Sequence, residues 1–536
     1  MQEGSFTWGR LEKQYRTADK RVDGVWVVVL LIAAVLLFTI NLGELALRDW
    51  DEGTVAQVAR EIWEAQAGSW HWLYPTLGGE PYYNKPPLMH LLIAWTYSLG
   101  GVNEWTTRLP GAILTAISVP LLYCLGREIF RQRSTAVYSA LVYLTMLPVV
   151  RHGRLAMLDG ASVSFFIIMM ICVLRSRRDL RYCLGVGISL GLICLTKGML
   201  GLLLGAIALV FLFWDTPRLL TSWYMLMGIL IGSAPVAFWY GAQWLHYGYT
   251  FTNTGLVGQS LSRIWKPVEN HSGPSWYYLL EILKYIWPWL LFLPQSLWLT
   301  WENRNLGWAK LVLVWSSLYL VAISLMSTKL PWYVFPIYPS LALTFGPQLA
   351  KIDDSPLPSS YPRFWVASLA IIAVVAIAGS FYFGGTAHQP DLQLILAAVA
   401  VTMVIAAILA ERGDGQFLKV LFWGTYISLL LLMKSSYWVW ELGEAYPVKP
   451  VADMIQRGTG ANAKIYTSFA YHRPSLDFYS HRTVISPPST QLQDLWQHEK
   501  QSYFLLDRSA LKNLQHKSMK LVDQVSDWIL VTNNTK

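Results

Sequence analysis

The sequence predicts a polytopic α-helical membrane protein with a small polar α/β domain at its C-terminal end. Three observations predict it. Hydrophobic residues fill 54% of the 536 positions and charged residues only 14%, with a mean hydropathy of +0.36. Apolar runs such as Val25–Ile40, Met199–Phe213, Leu311–Met326 and Phe364–Ala378 recur, each approaching the ~20 residues that cross a hydrocarbon core. After Met433 the composition turns polar and the pattern turns to short β-rich runs. Helices are the expected spanning element, because lipid offers no partner to an unpaired backbone amide. The 27 Trp and 28 Tyr suit a chain with many membrane–water interfaces.

The net charge of +9 does not point to nucleic acid, since much of the Lys and Arg sits in short clusters between apolar runs. These are Arg10–Arg21, Arg127–Arg133, Arg175–Arg181, Lys351–Arg363 and Arg412–Lys419, with lighter ones near Arg218 and Arg304–Lys310. Placing all of them in the cytoplasm puts spans near 24–43, 109–126, 135–150, 161–174, 182–196, 199–214, 222–242, 277–300, 311–326, 332–350, 364–384, 391–410 and 417–433. That is about 13 transmembrane helices. Residues 1–23 then form a cytoplasmic tail before an uncleaved first helix, and 24–433 a transmembrane domain. Outer loops fall at 44–108, 151–160 and 243–276, and an α/β domain at 434–536 lies outside. The short apolar stretch Leu88–Leu99 is expected along the interface, because a crossing there would expose the Arg127–Arg133 cluster. Within the tail, strands are expected at Lys464–Phe469, Ser502–Leu506 and Trp528–Thr532, and helices at Val451–Gln456 and Gln491–Lys500. Cys124, Cys172, Cys183 and Cys194 all lie in or beside apolar segments, so no disulfide framework or Cys-based zinc site is implied.

The outer segments concentrate the unusual chemistry. Asp51 and Glu52 follow the first span directly. Helix capping accounts for one acid there; a carboxylate at the membrane surface also serves as a general base. In Tyr82-Tyr83-Asn84-Lys85-Pro86-Pro87 the prolines hold Lys85 at a rigid corner. A snorkelling Lys in an aromatic belt is the plainer explanation, whereas an ammonium fixed at headgroup depth is a phosphate ligand. Asp159 precedes a span, Lys197 interrupts two apolar runs, and Lys329-Leu-Pro-Trp-Tyr333 repeats the Lys–Pro–aromatic theme. The segment 243–276 carries Arg263, Lys266, Glu269 and His271, and is too long for a simple connection. No Walker A, GxGxxG, HExxH or G-x-S-x-G pattern with suitable context is present.

The ordered set DEGTVAQVAREI, GGEPYYNKPPL, NEWTTRLPGA, GRLAMLDG, LTKG, HSGPSWYYL and KLPWYVFPIYPSLAL resembles the lipid A aminoarabinose transferases over roughly residues 24–350. Their relatives, the protein O-mannosyltransferases, share the GT-C superfamily. The resemblance implies a GT-C fold and an inverting glycosyltransferase of the inner membrane with its site on the periplasmic face. The implied donor is a polyprenyl-phosphate-linked sugar, and the acceptor a lipid A-like lipid, a glycolipid or a protein. It also implies Asp51 and Asp159 as catalytic carboxylates, Lys85 on the lipid phosphate, Tyr82 and Tyr333 as site tyrosines, and Lys197 as a further site lysine. Cations, Lys85 with Lys197 or Arg263, would stabilise the departing phosphate while a carboxylate activates the acceptor. Two departures stand out: Asn84 replaces a metal-binding Glu, with His271 left as its partner, and Val55 replaces a Tyr. No cofactor is expected on that account. A monomer without nucleic-acid partners is expected. A lipid or solute transporter would instead place ionisable groups inside its spans, and a non-catalytic membrane scaffold would lack turnover.

Overall fold

The computed structural model describes residues 3–267, 271–354, 361–440, 447–461, 463–488, 490–499, 501–514 and 519–533. Glu269 lies outside these residues. Seven described helices are long and apolar enough to cross a membrane, or eight if one bent pair forms a single span. The chain divides into two compact units. The first comprises Met1–Asn41, Gly111–Arg154 and Leu158–Trp438; the second comprises Leu42–Pro110, Leu155–Met157 and Val439–Lys536.

In the first unit, each segment expected to span is helical, with three adjustments. The opening helix runs unbroken from Glu3 to Thr39, so the polar tail continues the first apolar helix. Arg133–Leu144 and Leu147–Arg154 are bent by 58°; Pro148, which has no N–H for the preceding turn, sits in the first turn after the break. The stretch 277–300 is three pieces, Tyr277–Tyr285, Trp289–Phe292 and Leu293–Glu302, with Pro288 and Pro294 at the breaks. The segment 243–276, expected to be a long loop, is largely helical as far as Trp265.

Small residues set the closest helix contacts. A Cβ on Gly187 or Gly191 of Tyr182–Lys197 would lie 2.0–2.1 Å from the backbone of Gly228 and Gly232 in Trp223–Tyr247. The two backbones touch directly, as small-xxx-small pairs allow in a bilayer.

Ion pairs join the basic clusters of this unit to one another. Arg127 and Arg133 reach Asp23 at 3.1 and 2.9 Å. Glu128 accepts from Arg175 at 2.7 Å, while Asp215 pairs with Arg177 at 2.5 Å and Lys310 at 3.8 Å. Four clusters separated along the sequence therefore meet at one end of the helices.

The second unit carries the mixed α/β part. β1 (Thr76–Leu77) and β2 (Glu80–Pro81) form a small hairpin. β3 (Ile465–Thr467), β4 (Val484–Ile485), β5 (Tyr503–Asp507), β6 (Lys520–Val525) and β7 (Trp528–Thr532) form a sheet in the order β4-β3-β5-β7-β6. β3 is parallel to β4 and β5, and the β6–β7 hairpin closes the edge antiparallel. Both faces are covered. Leu505 packs with Val451, Met454 and Ile455 of the helix Val448–Gly458 on one side. Phe504 and Leu506 pack with Leu492 and Trp496 of Leu492–His498 on the other, as the period-2 alternation of a strand requires. Leu88–Gly100 is a helix of 13 residues, short for a span, that buries Ile93 and Tyr97 against Val55, Ala56 and Ala59.

Candidate active site

Three neighbouring acids in the second unit take three different environments. Asp49–Gly53 is a wide π-helical turn that leads into the helix Thr54–Glu64. Asp49 accepts from Ser475 Oγ at 2.5 Å and Arg473 Nη1 at 3.1 Å, which ties the turn to the helix Pro474–Ser480. Asp51 pairs with Arg48 at 3.1 Å, and its side chain keeps 29% exposure.

Glu52 and Arg108 form a salt bridge in which both side chains are 0% exposed. Arg108 Nε and Nη2 donate to the two carboxylate oxygens at 2.8 Å each. The backbone N–H groups of Arg48 and Ala156 donate to the same oxygens at 3.0 and 2.8 Å. Burial by itself raises the Glu52 pKa, but the Arg108 charge and these hydrogen bonds outweigh it and hold the carboxyl below its ordinary value. The remaining Arg108 N–H groups donate to the carbonyls of Leu42, Leu45 and Ala46 at 2.7–3.0 Å. A carboxylate with four donors is a scaffold for the turn rather than a base. Arg108 lies in the NEWTTRLPGA motif, and its signal was an arginine directly before the apolar run 109–125.

Tyr82 is buried and packs edge-on against His90 at 5.6 Å. Its hydroxyl pKa is raised by that burial. Asn84 and Lys85 follow, half-buried, on a corner whose Pro86 and Pro87 are buried. His90, one turn on, is fully buried; desolvation pushes its pKa down to about 4, with the nearby Lys85 charge adding to the effect.

The first unit assembles four of the expected residues into one string. Lys197 Nζ donates to Asp159 Oδ1 and lies 5.6 Å from the centre of the Tyr333 ring. The Tyr333 hydroxyl accepts from Arg263 Nη1 at 3.0 Å, and the Tyr319 hydroxyl holds the Tyr333 carbonyl at 2.8 Å. Asp159 opens the helix Asp159–Arg175, Lys197 ends Tyr182–Lys197, and Tyr333 sits in the turn Pro331–Ile337. Helix ends thus supply these groups.

His271 is exposed, and its carbonyl accepts from the Lys329 N–H at 2.9 Å. Lys329, in the repeated Lys–Pro–aromatic motif, is buried and donates to the carbonyls of Ile323 and Ser324 at 3.1 and 2.7 Å. It finishes the preceding helix instead of facing a ligand.

Two arginines of the RHGRLAMLDG segment are also structural. Arg154 donates to the carbonyls of Leu37 and Ile40, and its guanidinium lies 4.4 Å from the centre of the Trp438 ring. Arg151 donates to the Trp438 carbonyl at 2.9 Å.

The metal donors implied by the resemblance are the Asn84 amide and the His271 imidazole. An amide oxygen is a poor zinc ligand. Among the described residues no group of three His, Cys, Asp or Glu gathers to hold a metal ion. This donor set does not fit a divalent metal site.

The fold matches that of ArnT from Cupriavidus metallidurans, solved bound to undecaprenyl phosphate and in the apo state. The TM-scores are 0.76 and 0.77, at 19% identity, over 95% of this chain and 98% of that one. The chain has the fold of ArnT. Residues 84–240 match the family model described as dolichyl-phosphate-mannose-protein mannosyltransferase. An undecaprenyl phosphate-alpha-4-amino-4-deoxy-L-arabinose arabinosyl transferase of Pseudomonas fluorescens strain Pf-5 is 30% identical over 329 residues, 59% of this chain. Another, of Erwinia tasmaniensis, is 27% identical over 375 residues, 66% of this chain. The chain spans 58% and 65% of the length of these two relatives. The resemblance read from the sequence is borne out by all three comparisons. The family match covers Lys85, Asp159 and Lys197, whereas Asp51, Arg263 and Tyr333 fall outside it.

Proposed function

We propose that this protein is an inverting membrane glycosyltransferase that moves a sugar from a polyprenyl phosphate, undecaprenyl phosphate in the named relatives, to a lipid A-like or glycolipid acceptor. The observation that carries the proposal is the Asp159–Lys197–Tyr333–Arg263 string. Two cations bracket a tyrosine hydroxyl and ring, a set suited to an anionic lipid phosphate that gains charge as the glycosidic bond breaks. In this reading Lys85 of the second unit is a lipid-phosphate ligand, Tyr82 shapes the corner beside it, and Asp51 takes the proton of the acceptor hydroxyl as that oxygen attacks the anomeric carbon. The polyprenyl phosphate leaves as the dianion, so no acid is needed for its departure.

The test is turnover of the purified protein in nanodiscs with a polyprenyl-phosphate sugar, with the products identified by mass spectrometry. Glycosylated lipid is the expected product. A glycosylated peptide acceptor would favour the second reading, protein O-glycosylation, which the family model over 84–240 supports. Exchange of lipid between leaflets without sugar transfer would support a transporter. Lys85→Ala is expected to weaken donor binding and to slow turnover by roughly 10²-fold or more, because a cation on the leaving group gains strength as charge develops. Unchanged donor affinity in that variant would move the phosphate to Lys197 and Arg263.

The reaction is further proposed to need no divalent metal, on account of Asn84. Activity is expected to survive EDTA; loss of turnover that zinc restores would overturn this.

In the proposed topology the helices make 13 crossings of the inner membrane, with the joined basic clusters inside and the site on the periplasmic face. The tail after residue 434 is then outside, and Leu88–Gly100 lies along the outer interface. Trp440 and Tyr471 are exposed, so cysteines placed at these positions are expected to react with a membrane-impermeant maleimide added from outside. Labelling only after the membrane is opened would reverse the orientation.

A further inference from the structure

A cavity of about 440 Å³ runs along the first unit between the opening helix, the helix Arg133–Leu144 and the helix Phe417–Lys434. Its walls are apolar: Leu30 and Ala33 from the first, Val137 and Leu141 from the second, Phe422 and Trp423 from the third. None of these residues belongs to the candidate active site. From Ser134 to Thr145 the groove follows roughly 16 Å of helix, at the α-helical rise of 1.5 Å per residue. The Tyr426 hydroxyl donates to the Ala33 carbonyl at 2.8 Å, so the wall offers no unpaired hydroxyl there.

The polar lining gathers at the end where the basic clusters converge. Arg133, Asp353 and Lys419 come from three different helices. Arg133 is already paired with Asp19 and Asp23. Asp353 shares this part of the lining with Tyr138. Lys419 is exposed at the first turn of its helix and makes no ion pair among the described residues. Among the described residues, the mouth thus presents an ammonium that makes no ion pair and a carboxylate that no cation balances.

We infer that this groove is a phospholipid site: one acyl chain fills the apolar channel, and a zwitterionic headgroup sets its phosphate on Lys419 and its ammonium on Asp353. The volume lies within the usual range for ligand cavities. Three helices of one unit form the channel, so a seated chain also fills what would otherwise be a gap in their packing. A singly anionic headgroup would meet Asp353 as a like charge. A phosphoethanolamine headgroup complements both groups at once.

The experiment is native mass spectrometry of the delipidated full chain in detergent, titrated separately with phosphatidylethanolamine, phosphatidylglycerol and polyprenyl phosphate. One phosphatidylethanolamine is expected to stay bound per chain, in preference to phosphatidylglycerol. Lys419→Glu, an exposed change that leaves the packing intact, is expected to weaken it about fivefold, the scale of one exposed ion pair. Ala33→Phe fills the channel and is expected to abolish the adduct while the apparent melting temperature stays near that of the parent. Equal retention in both variants would overturn the assignment, and so would a preference for phosphatidylglycerol. Polyprenyl phosphate bound in the parent and lost in Ala33→Phe would overturn it in favour of the donor tail.

Discussion

Asp51→Asn is expected to fold, to bind the lipid donor normally, and to turn over about 10²–10⁴-fold more slowly, the range for loss of a general base. Four carboxylates of the sequence motifs, three in the second unit and Asp159 in the first, differ in environment. Glu52 already accepts four hydrogen bonds and is sealed from solvent. Asp49 is committed to Ser475 and Arg473, and Asp159 is buried against Lys197. Asp51 alone of the four keeps 29% side-chain exposure, with Arg48 orienting it. Donor binding and initial rates on the same nanodisc preparation check the expectation. Near-normal turnover in Asp51→Asn would reduce Asp51 to the partner of Arg48 and move the base role to Asp159.

Glu52→Ala is expected to be the most damaging single change to stability in the second unit. It leaves the Arg108 guanidinium fully buried without its counter-charge, which typically costs roughly 3–5 kcal/mol. The readout is the apparent melting temperature of the purified protein, taken at one scan rate so that any irreversible step affects all variants alike. The double variant Glu52→Leu/Arg108→Met is expected to recover much of the loss, since it removes both charges and retains volume. A double variant as unstable as Glu52→Ala would show that the Leu42, Leu45 and Ala46 carbonyls depend on Arg108 more than Arg108 depends on Glu52. The pH dependence has a definite sign. The folded pKa of Glu52 lies below its unfolded value, so the contribution is complete above the ordinary glutamate range near 4.3. It is lost as pH falls from there through the folded value.

The tail helices and strands were legible because their signals are local. Trp528–Thr532 is a strand over the expected residues, and Val448–Gly458 is a helix around the expected Val451–Gln456. Proline positions were visible too, but their effect on 277–300 was not. A broken span and a continuous one have the same composition, and only packing decides whether the break is kept.

Residue chemistry alone determined the class of the chain and much of the list of groups worth examining. Apolar run lengths report on lipid solvation, and basic clusters report on membrane side, with no fold needed. The structure joins four clusters by ion pairs at one end of the first unit. It also joins Asp159, Lys197, Tyr333 and Arg263 in one string. What only the tertiary structure decided is the division of labour within each set. Asp51 and Glu52 are adjacent acids with nothing local to tell them apart. Arg108, 56 residues away from Glu52, takes one of them into the core and leaves the other half-exposed. Lys197 and Lys329 likewise share an apolar setting, yet one meets a carboxylate and the other finishes a helix with its own carbonyls. The reason is electrostatic: a buried charge takes its role from the partner that neutralises it, and that partner is brought by the fold from a distant part of the chain.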